Sequence, residues 1–202
     1  MKIAIIGAGG HGKVVAEIAE LNGYKTIHFF DNDLNKSYPW KIIDSSQNIY
    51  NTFSNYEAVF VAIGANNIRR EFIQKLISLK APLISLIHPS AVISSRSSIS
   101  QGSLITANVA INSGSKIGIG SIINTGSSID HDCDIGNYTH IAPGVTLSGN
   151  VTVGNNCWIG VGSTIIQQCN ITNDTYLGAG SLVIKDILES GLYFGSPATK
   201  QK

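Results

Sequence analysis

Charge is scarce in this chain. Only 13% of its 202 residues are Asp, Glu, Lys or Arg, and the formal net charge is +1. There is no basic run, which argues against a nucleic-acid partner. Long apolar runs are also missing, and none approaches the length of a membrane span. Cysteine is limited to Cys133, Cys157 and Cys169, with no CxxC pair among them, so no metal site is expected. All three fall on small positions that the pattern described next turns inward, and they read as reduced core thiols of a cytoplasmic protein. The start, Met1-Lys2 followed at once by a strand and glycines, carries no signal-peptide apolar region. What is present is 43% hydrophobic residues in a chain long enough for two small domains.

The dominant pattern has a period of six. Every sixth residue from Ile87 to Val183 is a branched aliphatic, through Ile105, Ile123, Ile141, Ile159 and Leu177, without a break in register. A helix repeats near 3.6 and a simple strand at 2, so neither explains it. Hexapeptide-repeat β-helices do. A second, small inward residue stands two places before many of the aliphatics, as at Ser103, Ser121, Cys133, Thr139, Cys157 and Ser181. Gly, Asn or Asp often follows the aliphatic, as tight corners require. A β-sandwich would separate its strands by turns of varying length, which this chain does not do. In the left-handed form three hexapeptides complete one coil, so residues 18 apart stack about 4.8 Å from one another.

Ahead of the repeat lies an α/β pattern. The apolar run Ile3 to Ile6 reads as a buried parallel strand and leads into Gly7-Ala8-Gly9-Gly10-His11-Gly12, a G-x-G-x-x-G loop. A helix with Val14, Val15, Ile18 and Ala19 follows, then a strand from Thr26 to Phe30 closed by Asp31. A third strand is expected over Ala58 to Ile63, ending at Gly64. A helix from Asn67 to Lys80 is expected next, with Ile68, Phe72, Leu76 and Leu79 on one face. Glycine amides at a helix start suit a phosphate, and an acidic residue about 20 places on suits a ribose or base. The unit holds only half of a dinucleotide fold, which favours a mononucleotide or nucleotide sugar over NAD. A purely structural glycine turn is the bland alternative. The expected domains are 1–85 (half-Rossmann, parallel βαβ), 86–185 (left-handed parallel β-helix) and a tail over 186–202.

Most of the repeat is Ser, Thr, Asn and Gly at its surface. The exception is Asn124 to His140, where Asp130-His131-Asp132 places a histidine between two carboxylates. A carboxylate beside a histidine is the usual general-base pair, because it fixes the tautomer and raises basicity. A solvated turn with no role is the alternative. One coil on from His131 stands Gly149, which leaves room and a backbone N–H beside the imidazole. Pro143, Val161 and Ala179 form a column of compact residues, a groove suited to a thin ligand such as a pantetheine arm.

The chain resembles the PglD/NeuD-type sugar acyltransferases, with the PglD type the better match. The likeness rests on Gly7 to Gly12, Phe30-Asp31-Asn32-Asp33, Ala62 to Arg69, Leu86 to Ala91, Asn124 to Ser127, His131-Asp132-Cys133 and Gly195 to Lys200. It implies a homotrimer, with its active site between neighbouring β-helices, that moves an acetyl group from acetyl-CoA to a nucleotide-linked amino sugar. It makes His131 the base and Asp132, where the PglD type carries Glu, its polarising partner. Asn124 would contact the sugar, and the Gly149 N–H would meet the oxyanion. His140, Val161 and Ala179 would line the acetyl-CoA site. Gly9, Gly10, His11, Asp31, Asn32 and Gly64 would hold the nucleotide. A sugar O-acetyltransferase of the NeuD type and a non-catalytic nucleotide-sensing scaffold remain the competing functions. The carrier nucleotide and the sugar stay open.

Overall fold

The computed structural model describes residues 1–201. They divide into two compact units, Met1–Ile87 and the part that begins at His88. In the first unit, β1 (Lys2–Ile6), β2 (Thr26–Phe30), β3 (Lys41–Asp44) and β4 (Ala58–Val61) form a parallel sheet in the order β3-β2-β1-β4. Ile3 to Ile6 are fully buried, as expected of a central parallel strand covered on both faces. The strand β3 has no counterpart in the sequence reading. It is four residues long and lies at the sheet edge, where its pairing with β2 shifts register at Phe29/Phe30.

Three helices complete this unit: α1 (Gly10–Leu21), the single turn α2 (Ile49–Thr52) and α3 (Asn66–Ser78). The strand β4 ends at Val61 and not Ile63. Lys80 does not extend α3, because its φ of 56° ends the helix and lets Ala81 N–H return to the Leu76 carbonyl. The buried stripe of α3 is Arg69, Phe72, Ile73 and Leu76, while Ile68 and Leu79 are exposed. That stripe has the spacing of a helix face, but a charged residue occupies its first position and hid it. In α1, Val15, Ile18 and Ala19 are buried and Val14 is exposed.

The second unit is the β-helix. Its two-residue strands stack in three parallel sheets, pairing Lys116 with Asp134, Ile122 with His140 and Ser128 with Thr146. Each pair is 18 residues apart, one full coil. The sixth-residue aliphatics from Ile105 to Val183 are all buried, and only the first three of the series, Ile87, Ile93 and Ile99, are partly exposed. The small inward residues are not merely space-fillers. Ser121 Oγ donates to the Gly136 carbonyl at 2.7 Å and accepts the Thr139 N–H at 3.1 Å. Thr139 Oγ1 then donates to the Gly154 carbonyl at 2.7 Å and accepts the Cys157 N–H at 3.0 Å. A buried hydroxyl is thereby satisfied on both sides while it ties one coil to the next. Cys133 and Cys157 occupy the same positions with their thiols against the Ser148 and Thr172 carbonyls, and all three cysteines are buried.

A second ladder runs along one corner. Asn137, Asn155 and Asn173 each accept, through Oδ1, a backbone N–H one coil away, from Ile119, Asn137 and Asn155. The segment expected as a tail is structured. Gly191–Gly195 adds in parallel to Thr175–Leu177, and Ala198–Lys200 folds back antiparallel on it, which covers the end of that sheet.

Candidate active site

Two sets of residues carry chemistry, one in each unit. In the first unit the glycine loop joins β1 to α1. A Cβ at Gly12 would stand 2.9 Å from the Tyr38 hydroxyl and would run into the Gly7 carbonyl, so only glycine fits there. At Gly9, Gly10 and Gly64 a Cβ would meet open space, which leaves that side of both loops accessible. Asp31 braces the loop. Its carboxylate accepts the Ala8 N–H at 2.7 Å, the Asp33 N–H at 3.0 Å and the Lys36 ammonium at 3.3 Å. Burial alone would raise this carboxyl, but those donors outweigh it and hold the group below its ordinary range.

Asn32 accepts the Ser46 N–H at 3.1 Å through Oδ1. His11 has its pKa lowered to about 4 by burial and by the charge of Arg69, so it is a neutral ring near pH 7. Arg69 is itself buried, and its guanidinium donates to the Ile63 and Gly64 carbonyls at 3.0 and 2.7 Å. It thereby shapes the second loop of the site. Lys36, Tyr38 and Arg69 escaped the sequence reading as site residues. Lys36 Nζ holds the Ala8 carbonyl and Tyr38 Oη the Gly9 carbonyl, at 3.1 and 3.0 Å, contacts without a short sequence signature.

In the β-helix, His131 and Asp132 form the exposed turn of one corner. Asp132 has φ 58°, and this left-handed turn swings its carboxylate alongside its own neighbour. The result is a contact of 2.8 Å between His131 Nδ1 and Asp132 Oδ2. Aspartate is therefore long enough for the polarising contact. Asp130 does not reach the ring. Its Oδ1 accepts the His131 backbone N–H and the Asn112 side-chain N–H, each at 2.8 Å, and so pins the turn from below. The Asp132 hydrogen bond, followed by the Asp130 charge, raises the imidazole above the ordinary histidine pKa.

The other face of the imidazole rests on Gly149. A Cβ there would lie 2.5 Å from His131 Nε2 and 2.6 Å from Cε1. Around this point is a cavity of about 500 Å³ lined by Asp130, His131, Asp132, Ser148, Gly149, Asn150, Gln167 and Gln168. The N–H groups of Ser148 and Asn150 donate to Ile165 and His131 carbonyls, whereas among the described residues that of Gly149 has no acceptor.

The remaining expected residues lie elsewhere. Asn124 Nδ2 and His140 Nε2 are 3.1 Å apart, and the His140 ring packs edge-on against Trp158 at 4.3 Å. Val161 and Ala179 begin exposed turns at a different corner of the coil from His131. Within one chain, the cavity at His131 includes none of these four. Among the described residues, no three His, Cys, Asp or Glu side chains gather as a metal site. Among the described residues, no helix is long and apolar enough to cross a membrane.

A parallel α/β sheet with a glycine loop, followed by a left-handed parallel β-helix with a carboxylate-held histidine at one corner, is an architecture that this chain shares with known acetyltransferases. The PglD N-terminal domain family matches residues 2–76. The acetyltransferase domain of PglB from Neisseria gonorrhoeae is 37% identical over 99% of both chains, with a TM-score of 0.95. That domain has also been solved with acetyl coenzyme A. PerB from Caulobacter crescentus, solved with CoA and GDP-perosamine, is 36% identical over 100% of this chain and 98% of its own, with a TM-score of 0.94. A UDP-N-acetylbacillosamine N-acetyltransferase from Bacillus subtilis is 33% identical over 115 residues, 52% of this chain, and the match spans only about half of that relative (51%). The chain belongs to the PglD-type acetyltransferase family.

Proposed function

We propose that the chain transfers an acetyl group from acetyl-CoA to the amine of a nucleotide-linked amino sugar, with a UDP-4-amino-4,6-dideoxy sugar as the preferred acceptor. The setting would be the cytoplasm of a bacterium building a surface glycan or glycoprotein. The observation that carries this reading is the His131 imidazole. It is held at Nδ1 by Asp132 at 2.8 Å and presents Nε2 to a cavity beside the unused Gly149 N–H. Two relatives named for nucleotide-linked amino sugars, one a uridine and one a guanosine diphosphate, support the acceptor class. In this reading the first unit's loops, with Gly9, Gly10, His11, Asn32 and Gly64, hold the nucleotide. Asp31 serves by bracing the loop.

The reaction needs a nucleophile, a base and an oxyanion donor. The substrate amine attacks the thioester carbonyl carbon directly, forming the C–N bond. Negative charge develops on the carbonyl oxygen and is met by the Gly149 N–H. Nε2 of His131 takes the amine proton, the C–S bond breaks, and that proton goes to the departing CoA thiolate. No protein nucleophile is required, in keeping with three cysteines buried in the core.

Protonation of the base sets the pH dependence. The imidazole works only while neutral, and its raised pKa moves protonation to higher pH. We predict that kcat/KM falls as pH drops through a value above the ordinary histidine pKa of 6.5. Asp132→Asn removes the largest cause of the rise, so its acid limb should move to lower pH while the plateau also falls. A variant profile that overlays the wild type would show that Asp132 does not polarise the base.

The separation of Val161 and Ala179 from the His131 cavity supports a homotrimer with shared clefts. A single prism of β-helix leaves His131, at 59% exposure, open to water, whereas direct transfer needs the reactants held close and water excluded. Three prisms related by closed symmetry would set His131 of one chain against the Val161 and Ala179 column of the next. His131→Ala and Ala179→Trp chains, each inactive alone, should recover part of the activity when mixed, because some clefts draw both good halves. Fully active monomers by light scattering, or no recovery from demonstrably mixed trimers, would reject shared sites.

A further inference from the structure

The left-handed corner that carries Asp132 recurs every 18 residues, at Gly114, Asp132, Asn150 and Gln168, with φ of 81°, 58°, 60° and 64°. Aspartate, asparagine and glutamine all hold it, so the backbone conformation alone does not call for glycine at 114. What sets Gly114 apart is the space beside it. A Cβ there would run into Asp132 Oδ1 and stand 3.3 Å from its Cγ. Gly114 is thus the counterpart of Gly149. One glycine, a coil before the pair, receives the carboxylate, and the other, a coil after, receives the imidazole.

The backbone of the pair cannot shift to relieve crowding. Asp132 N–H donates to the Ser113 carbonyl at 2.9 Å, and the His131 carbonyl accepts the Asn150 N–H at 2.8 Å, which ties the turn to the coils on both sides. The Asp130 carboxylate, itself bonded to Asn112, holds the His131 N–H as well. Only the side-chain torsions of Asp132 are left to move. Its two oxygens belong to one planar group, so Oδ1 cannot withdraw from residue 114 without carrying Oδ2 off His131 Nδ1. The Asp132 side chain is 65% exposed, so water takes up a carboxylate that leaves the ring.

We infer that Gly114 is a positioning residue for the His131–Asp132 pair, keeping empty the space into which the aspartate carboxylate must fold to reach Nδ1. This deepens the general-base reading and rests on it. Gly114 does not line the cavity at His131. Its side-chain vacancy therefore acts through Asp132, on the rate and on the titration of the base, and leaves substrate affinity in place.

The test compares Gly114→Ala, Asp132→Asn and the double variant in kcat, in KM and in the NMR titration of the His131 ring, whose signal is identified by its loss in His131→Ala. Melting temperature checks folding. Gly162→Ala is the reference, since it places a methyl at a left-handed corner (φ 65°) where nothing lies within 4 Å. Gly114→Ala is expected to lower kcat by about 10- to 100-fold, as for other groups that orient a functional histidine, with KM for both substrates unchanged. The ring titration should move to lower pH, because the Asp132 hydrogen bond is the largest cause of its raised pKa. In the double variant the two losses should not multiply, since each removes the same contact. Gly162→Ala should leave the ring titration where it is. If Gly114→Ala melts far below that reference, Gly114→Asn takes its place, with the residue that holds the same corner at 150. An unmoved titration in a folded Gly114 variant, or a double variant whose loss is the product of the single losses, would overturn the inference while the base assignment stands. If Asp132→Asn leaves both kcat and the titration unchanged, the polarising pair itself falls, and the inference with it.

Discussion

Replacing His131 with alanine is expected to lower kcat by roughly 10²–10⁴-fold, the range for removal of a general base, while acetyl-CoA still binds. Two features of the structure argue for an effect of this size. The imidazole is the titratable group in its cavity with a nitrogen poised over open space, and Asp132 fixes its other nitrogen at 2.8 Å. The neighbouring carboxylates are otherwise occupied, Asp132 with the ring and Asp130 with backbone and Asn112. Neither is placed to substitute as base. Folding should be little affected, because the side chain is 59% exposed and the corner is held by backbone bonds that alanine keeps. A variant with near-normal kcat would remove His131 from the mechanism.

A larger surprise is expected one coil away, at a residue with no side chain. Gly149→Ala should reduce kcat by about 10²-fold, because the new methyl would sit 2.5 Å from His131 Nε2 and must displace the ring. A misplacement of about 1 Å costs that much where geometry sets the rate. The atoms that have to move are the far end of an exposed side chain, so stability should hardly change. Melting curves that overlay the wild type, beside a collapsed rate, would separate this from a folding defect. An active Gly149→Ala enzyme would mean that the ring position seen against Gly149 is not the working one.

The β-helix was legible because one rule governs it. A six-residue period can be satisfied only by coils in which Ile105, Ile123, Ile141 and their successors all turn inward, and those residues are buried. The His131–Gly149 juxtaposition followed from the same arithmetic, since one coil is 18 residues. What escaped was tertiary in origin. The strand Lys41–Asp44 is too short to show a pattern and exists through its pairing with β2. Arg69 was not among the apolar residues expected on the face of α3, yet it sits on the buried stripe, where two loop carbonyls accept its donors. Asp31 was read as a ligand contact, and its oxygens turn out to be engaged by Ala8, Asp33 and Lys36. The left-handed backbone of Asp132, which makes the polarising contact possible between adjacent residues, has no signature in the residue types alone.

The central claim is acetyl transfer to nitrogen on a nucleotide-linked sugar. Its most direct test is mass analysis of products from acetyl-CoA and paired nucleotide sugars that differ only in carrying an amine or a hydroxyl at the acceptor carbon. The expected product is a mono-acetylated amide from the amine acceptor, formed at a rate that collapses in His131→Ala, with no product from the hydroxyl partner. Acetyl transfer to the hydroxyl sugar at a comparable rate, or to neither across uridine, guanosine, thymidine and cytidine carriers, would contradict it.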